Sequence, residues 1–274
     1  MRGIDRSYDL TRLAGSARRD ELLYNILLAP TLALFLFLAA LVGGALNALA
    51  GGGSFIALPA LLFAGVPPVV ANATNTVALW PASVSGALAY RREIAVARSW
   101  LAGLGLVSLI GGLAGAQLLI RTSNAGFLRL LPWLMLVAAA TFSVGTLVVN
   151  RFGGPARRLS WLGILLQFVI AIYGGYFGGG MGIMTLATLS IAGMNDIHQM
   201  NGVKLVLAVL INGASLVEFV AAGVVVWRPA LVMAAGAVVG GYAAAATARR
   251  VDQRYVNGVI VVIAWTLTVY FFVR

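Results

Sequence analysis

The sequence predicts an all-α, polytopic membrane protein, and hydropathy and the distribution of charge support that prediction. Of 274 residues, 61% are hydrophobic and only 10% are charged. No charged residue occurs between Glu21 and Arg91, a stretch far longer than the ~20 apolar residues that one spanning helix requires. Further charge-free stretches occupy most of the remaining chain and leave no room for a soluble domain. Their Ala, Leu, Val and Gly content favours helices over the alternating strands of a barrel.

Basic residues outnumber acidic ones and give a formal net charge of +11. A basic chain can bind nucleic acid or an anionic membrane surface. Here the basic residues stand in short loops between apolar segments, as in the arginine pairs at 91–92, 157–158 and 249–250. The positive-inside rule accounts for that placement. We therefore interpret them as topology determinants, and we expect membrane lipid, not nucleic acid, as a partner.

Several classes of site are disfavoured by composition. Residues 1–29 mix basic and acidic side chains without a convincing cleavage site, which predicts a cytoplasmic amphipathic leader rather than a cleaved signal peptide. The lack of cysteine excludes disulfides and thiolate chemistry, and a single histidine argues against a histidine-based metal cluster. We expect no metal or cofactor. No phosphate-binding loop of the Gly-x-x-x-x-Gly-Lys-Ser/Thr type supports coupling to ATP.

An internal repeat organises the membrane region. The segment GGLAGAQLLIR at 111–121 aligns with GGYAAAATARR at 240–250, an offset of 129 residues. We therefore predict two homologous repeats, residues 30–150 and 161–274, joined by a polar linker at 151–160. Such halves recur in secondary transporters, where the substrate site lies near the bilayer midplane at the repeat interface. The same offset pairs Asn72 with Asn201, Asn75 with Lys204, Ser83 with Asn212, and Gly86 with Ser215.

Each half contains a run of three glycines that we predict to break a helix. The apolar segment after the first run, residues 54–64, is roughly 16 Å long as a helix and too short to cross a bilayer alone. We interpret it as a re-entrant half helix. We predict a second re-entrant half helix at residues 183–192, after the glycine run of the second half. Glycine clusters also allow helices to pack closely, which is the alternative interpretation. The glycines are Gly51, Gly52 and Gly53 in the first half and Gly178, Gly179 and Gly180 in the second.

Polar residues after each break fall on one helical face at 100° per residue. A lysine in an apolar stretch is costly in a membrane and usually marks a substrate path. Hydrogen bonding between helices is an alternative for each Asn, Ser or Thr, but it explains Lys204 poorly. An ammonium group among amide and hydroxyl donors, with helix N-termini nearby, predicts an oxyanion site. The candidate substrate-binding residues are Asn72, Asn75, Thr76, Ser83, Asn201, Lys204, Asn212 and Ser215.

Three further titratable residues are candidates for gating or coupling. Glu218 lies fourteen residues beyond Lys204, roughly 21 Å along a straight helix, so we do not expect the two to pair. Asp196 and His198 precede the lysine by two turns. They could gate or carry a proton, although a lone Asp or His at a helix end is more often a cap or solvated.

The chain also resembles a known family in two long segments that each begin at a glycine-rich stretch. These are GGGSFIALPALLFAGVPPVVANATNTVALWPASVSGALAYRRE at 51–93 and GGYFGGGMGIMTLATLSIAGMNDIHQMNGVKLVLAVLINGASLVEF at 174–219. They resemble the sulfite exporter TauE/SafE family of anion transporters, and the resemblance covers nearly everything after residue 30. It implies transport of sulfite, organosulfonates or related sulfur-containing anions. Where the family commonly has Gly-Thr-Ser, this chain has Ala-Thr-Asn at 73–75 and Gly-Val-Lys at 202–204, which allows a different substrate.

The number of spans is left open between two arrangements. If the short segments do not cross, there are eight spans with both termini inside, and the basic residues concentrate on the inner side. If they cross, there are ten spans in inverted halves with no charge bias. The positive-inside rule prefers eight and a cytoplasmic N-terminus, while inverted repeats are common among transporters.

The leading hypothesis is a multi-pass secondary transporter in the plasma (inner) membrane that exports a small sulfur oxyanion. A transporter of another small anion and a non-transporting membrane receptor are the alternatives. An enzyme is disfavoured because the polar stripes offer no paired carboxylates, metal ligands or Ser–His geometry. An anion leaving a negative-inside cell is driven outward by roughly 2.3 kcal/mol per charge per 100 mV, so no coupling ion is required. The exact anion and the oligomeric state stay open.

Overall fold

The computed structural model describes residues 30–151, 161–247 and 253–273, and those residues form helices and turns without strands. This confirms the predicted all-helical class. The leader at 1–29 and the linker from residue 152 to 160 lie outside the described residues. The helices are α1 (Pro30–Ala50), α2 (Ser54–Phe63), α3 (Pro68–Ala89), α4 (Arg91–Val96), α5 (Arg98–Ile120), α6 (Asn124–Arg151), α7 (Trp161–Tyr176), α8 (Met181–Ile191), α9 (Ile197–Ala221), α10 (Trp227–Thr247) and α11 (Gln253–Val273).

The arrangement of polar and apolar side chains is that of an integral membrane protein. Within the described ranges, four segments have the length and hydropathy to cross a bilayer: Pro30–Leu49, Trp100–Ile120, Asn124–Val144 and Ile197–Ala221. Large Leu, Val and Trp side chains cover the outer surface, whereas Asn, Ser, Thr and one Lys are buried inside. Such an apolar outside suits lipid and not water.

Helix α2 folds back along α1 and is shorter than the ~20 residues of an ordinary spanning helix. The start of α2 packs against α1 at Gly43. A Cβ atom built on Gly43 would lie only 3.0 Å from the Gly53 carbonyl oxygen and 3.5 Å from Ala57 Cβ. The chain reverses at Gly51, whose φ of 82° lies in the left-handed region that favours glycine. Ten residues make α2 roughly 15 Å long.

The second glycine run interrupts the chain between α7 and α8 in the same manner. Gly178 and Gly180 have φ values of 81° and 82°. The Tyr173 hydroxyl donates to the Gly179 carbonyl oxygen at 2.8 Å and lies 3.0 Å from the Leu134 carbonyl oxygen of α6. Tyr173 thereby connects the glycine turn to α6. Helix α8 starts at Met181, two residues before the predicted segment.

Two helices pack into the opposite half of the chain. Helix α10 lies along α1 and α3, and α5 lies along α7 and α9. Small residues lie at these contacts. The Gly240 backbone packs against the Leu41 carbonyl group, and the Gly115 backbone packs against the Ile172 carbonyl group. Small residues let helix backbones approach closely in a membrane, where van der Waals packing replaces the hydrophobic effect.

The central helices α3 and α9 run antiparallel. Near the middle of α3, Trp80 Nε1 donates to the Val209 carbonyl oxygen at 3.0 Å. Farther toward the end of α3, Gly86 adjoins Leu205, which lies earlier in α9. Helices α3 and α5 begin at residues 68 and 98, and α9 and α10 begin at 197 and 227, each 129 residues later.

Candidate functional site

The two helix breaks meet at the centre of the protein. A Cβ atom added to Gly51 would lie 2.7 Å from Gly182 Cα, so the two reversed segments touch through their backbones. A cavity of about 10 Å³ lies beside this contact, with room for about one water molecule. Its lining residues are Asn47, Gly51, Ser83, Met181, Gly182, Lys204, Leu205 and Ala208.

Lys204 is the charged group of this cavity. Its side chain is 2% exposed. Its Nζ donates to Asn201 Oδ1 at 2.9 Å and lies 3.4 Å from the Leu49 carbonyl oxygen in the last turn of α1. The final carbonyls of a helix carry partial negative charge, so the ammonium group stabilises the interrupted end of α1. Lys204 thereby joins α9 of the second half to the broken helix of the first.

In the first half, the amide groups of α3 make comparable contacts. Asn72 Nδ2 donates to the Tyr176 carbonyl oxygen, at the end of α7, over 2.8 Å. Asn75 Nδ2 donates to Ser54 Oγ at 3.1 Å, at the start of α2. The Thr76 hydroxyl donates to the Asn72 carbonyl oxygen of the preceding turn. These donors are therefore engaged within the protein, while the two amide oxygens face the interior.

All eight predicted substrate-binding residues are buried, but their surroundings differ. Ser83 lines the cavity and its Oγ accepts a hydrogen bond from Asn47 Nδ2 at 3.0 Å. Ser215 contacts the carbonyls of Gly112 and Ile211, which places its hydroxyl at the packing surface with α5. Asn212 lies buried on the same helix. The structure thus brings Ser83, Asn201 and Lys204 together and leaves Ser215 on another face.

The three predicted gating or coupling residues lie apart from the cavity. Asp196 is exposed and caps α9, accepting from the backbone N–H groups of His198 (2.8 Å) and Gln199 (3.2 Å). His198 is exposed on the first turn. Glu218 accepts a hydrogen bond from Gln117 Nε2 of α5.

Two polar side chains in the central network, Asn47 and Ser54, are not among the residues predicted from the sequence. Asn47 holds Ser83, and Ser54 holds Asn75. Both stand within four residues of the first glycine run, in the last turn of α1 and the first turn of α2. Their proximity to the predicted break could have identified them from the sequence, because helix ends expose unpaired backbone groups that bind polar side chains.

The electrostatics of the cavity favour an anion. Lys204 carries a full positive charge when protonated. Met181 and Gly182 form the start of α8, where the first backbone N–H groups lack partners within the helix and carry partial positive charge. A cation and a helix N-terminus that face the same space form a recognised arrangement for binding oxyanions.

Comparison with known proteins agrees with this architecture. The family model for "Sulfite exporter TauE/SafE" matches residues 36–271. A "Probable membrane transporter protein" of Haemophilus influenzae is 30% identical over 85% of this chain and 91% of its own length. The "Probable membrane transporter protein YfcA" of Escherichia coli K12 is 27% identical over 87% and 88%. No solved structure matches the chain.

The family match covers most of the chain and includes both helix breaks and the cavity between them. The resemblance noted in the sequence is thereby confirmed. Interrupted, buried helix ends around a charged cavity are typical of membrane transporters. The chain is therefore an integral membrane protein that belongs to the TauE/SafE sulfite exporter family of membrane transporters.

Proposed function

We propose that this protein is a secondary transporter that exports a small sulfur-containing oxyanion, such as sulfite or an organosulfonate, across the plasma membrane. The observation that carries the proposal is the Lys204 ammonium group, buried where the two interrupted helices meet. The description of the family as sulfite exporters supports this class of substrate.

Lys204 would provide the main attraction for the anion. Its hydrogen bonds to Asn201 Oδ1 and the Leu49 carbonyl occupy the ammonium group in the closed arrangement. When the cavity opens, an oxyanion can replace one of these neutral acceptors with a charge-assisted hydrogen bond. The N–H groups at the start of α8, the Asn201 amide and the Ser83 hydroxyl would complete the binding site.

We also propose that the two halves are inverted repeats. The antiparallel packing of α3 against α9 supports this proposal, since equivalent helices related by an axis in the membrane plane run in opposite directions. The constant offset between helix starts supports it as well. An inverted pair of halves favours ten spans over eight, with α2 and α8 as the short segments that cross the membrane. Rocking of one half against the other would then open the cavity to each side in turn.

Measurement of sulfite flux into proteoliposomes under an imposed potential tests the function. Lys204→Gln removes the charge, and we expect its flux to fall by roughly 10- to 100-fold, since a hydrogen bond to a charged group contributes about 1.5–3 kcal/mol. Arg129→Gln is the matched control, because it removes one exposed positive charge on α6. Size-exclusion chromatography and thermal unfolding report whether each variant is folded.

The outcomes separate the alternatives. Full flux through folded Lys204→Gln would exclude the lysine from the transport site. Saturable sulfite binding without flux in the wild-type protein would favour a receptor. Neither binding nor flux of sulfite, with flux of a carboxylate or thiosulfate, would keep the transporter and replace the substrate.

A further inference from the structure

We propose that the first half of the protein binds a monovalent alkali cation on the amide oxygens of Asn72 and Asn75. This site corresponds to the position that the Lys204 ammonium group fills in the second half. Its role in transport rests on the proposed function, whereas the site itself rests on the contacts of the described residues.

The two amide oxygens are buried without a hydrogen-bond partner among the described residues. Asn72 and Asn75 are 0% and 1% exposed. The Tyr176 carbonyl oxygen can only accept, so it requires Nδ2 and determines the orientation of the Asn72 amide. The Asn75 amide faces the Ser54 hydroxyl, which accepts from Nδ2 in this structure and is also able to donate. A buried acceptor without a partner destabilises the protein, because it has lost its hydrogen bonds to water. The residues are three apart on α3, so their side chains share one face.

The second half shows what these oxygens can bind. Asn201, the counterpart of Asn72, has the same amide oxygen, and Lys204 Nζ donates to it at 2.9 Å. Lys204 also approaches the last turn of the broken helix α1, as Asn72 approaches the end of the broken helix α7. In the first half, Asn75 stands in place of the lysine. The acceptors are thus retained while the positive charge is missing.

The chemistry of the acceptors selects an alkali cation. The available groups are amide oxygens, the Ser54 hydroxyl and the Tyr176 carbonyl at the end of a helix, all neutral oxygens. Carbonyl groups at the ends of broken helices coordinate Na⁺ in transporters. Divalent cations require carboxylates as a rule, and among the described residues no group of three His, Cys, Asp or Glu could hold a metal.

A bound cation would couple to the anion site electrostatically. Asn75 and Lys204 belong to α3 and α9, which pack directly against each other. A second positive charge on α3 would strengthen the attraction for an oxyanion beside Lys204 in a medium of low dielectric constant. We therefore expect the cation to raise the apparent affinity for the anion.

Thermal unfolding of the purified full-length protein tests the cation site without any sulfur anion. NaCl, KCl or LiCl replaces choline chloride at constant ionic strength. We expect one alkali cation to raise Tm saturably, by about 3–6 °C at roughly ten times its Kd. An equal Tm in all four salts would overturn the proposal, and would be the result if the oxygens bind only water.

Three variants make the test specific. Asn75→Lys supplies a tethered ammonium group and is expected to abolish the cation response. Asn75→Asp adds a carboxylate and is expected to lower the apparent Kd for the cation, which keeps the test valid if Asn75→Lys does not fold. Gln167→Leu is the control, since it removes an unpaired amide oxygen elsewhere, at α7, and should keep the full response. A cation response that survives Asn75→Lys would exclude this site.

The two proposals fail in different ways. A cation response together with no sulfite flux would retain the cation site and reject the proposed substrate. Sulfite flux together with a Tm that does not depend on the cation would retain the transporter and reject the cation site.

Discussion

Replacement of Gly51 by alanine tests the contact between the two helix breaks. Gly51 has a φ of 82°, and its added Cβ would lie 2.7 Å from Gly182 Cα. The left-handed conformation costs a non-glycine residue roughly 1–2 kcal/mol, and overpacking against backbone costs about 1–3 kcal/mol more. The sum is about 2–5 kcal/mol. At 2–4 °C per kcal/mol, we expect Tm to fall by roughly 4–20 °C.

Alanine substitutions at three other glycines separate the cost of backbone strain from the cost of overpacking. Gly223 has a φ of 67° and open space around its Cβ position, so Gly223→Ala reports backbone strain alone. The Cβ position of Gly240 meets the Leu41 backbone and its φ is not left-handed, so Gly240→Ala reports close packing alone. Gly258→Ala meets open space and is the neutral control.

Tryptophan fluorescence or circular dichroism of the purified variants, recorded during heating, gives the four Tm values. The order expected is Gly258→Ala nearest to wild type, then Gly223→Ala, with Gly51→Ala lowest of these three. A Gly51→Ala protein that unfolds within 1 °C of wild type would refute the packing of the two breaks. A fall no larger than that of Gly223→Ala would show that backbone strain acts alone and that Gly182 has room to move.

Two further predictions concern single contacts at the helix ends. Asp196→Ala should lower the free energy of unfolding by about 1 kcal/mol through loss of the α9 cap, while Asp196→Asn, which keeps a capping acceptor, should stay close to wild type; equal stability of the two variants would contradict the capping role. Gln117→Leu should lower the free energy of unfolding by about 1 kcal/mol, because the half-buried Glu218 carboxylate loses a hydrogen bond that water replaces only in part. The double variant with Glu218→Leu should recover most of that loss. Chemical unfolding as a double-mutant cycle checks the second prediction, and strictly additive losses would disprove it.

The sequence by itself predicted the helical membrane class and the positions of both breaks. Hydropathy sufficed for the class, because a stretch of apolar residues long enough to cross a bilayer leaves the backbone no alternative to helix. The glycine runs sufficed for the breaks at Gly51 and Gly178, where the structure requires left-handed backbone. The motif at 51–93 also indicated the family that the comparison then confirmed.

The partners of the polar residues followed only from the tertiary structure. Helical periodicity places Asn72, Asn75 and Lys204 on faces of their helices, but it cannot say which element lies opposite. The insertion of α10 between α1 and α3 and the antiparallel crossing of α3 with α9 decide that. As a result Lys204 reaches the end of α1 and Asn72 reaches the end of α7. The physical reason is that spacing along a helix fixes direction and distance within that helix, whereas contacts between helices depend on close packing of small residues far apart in the chain.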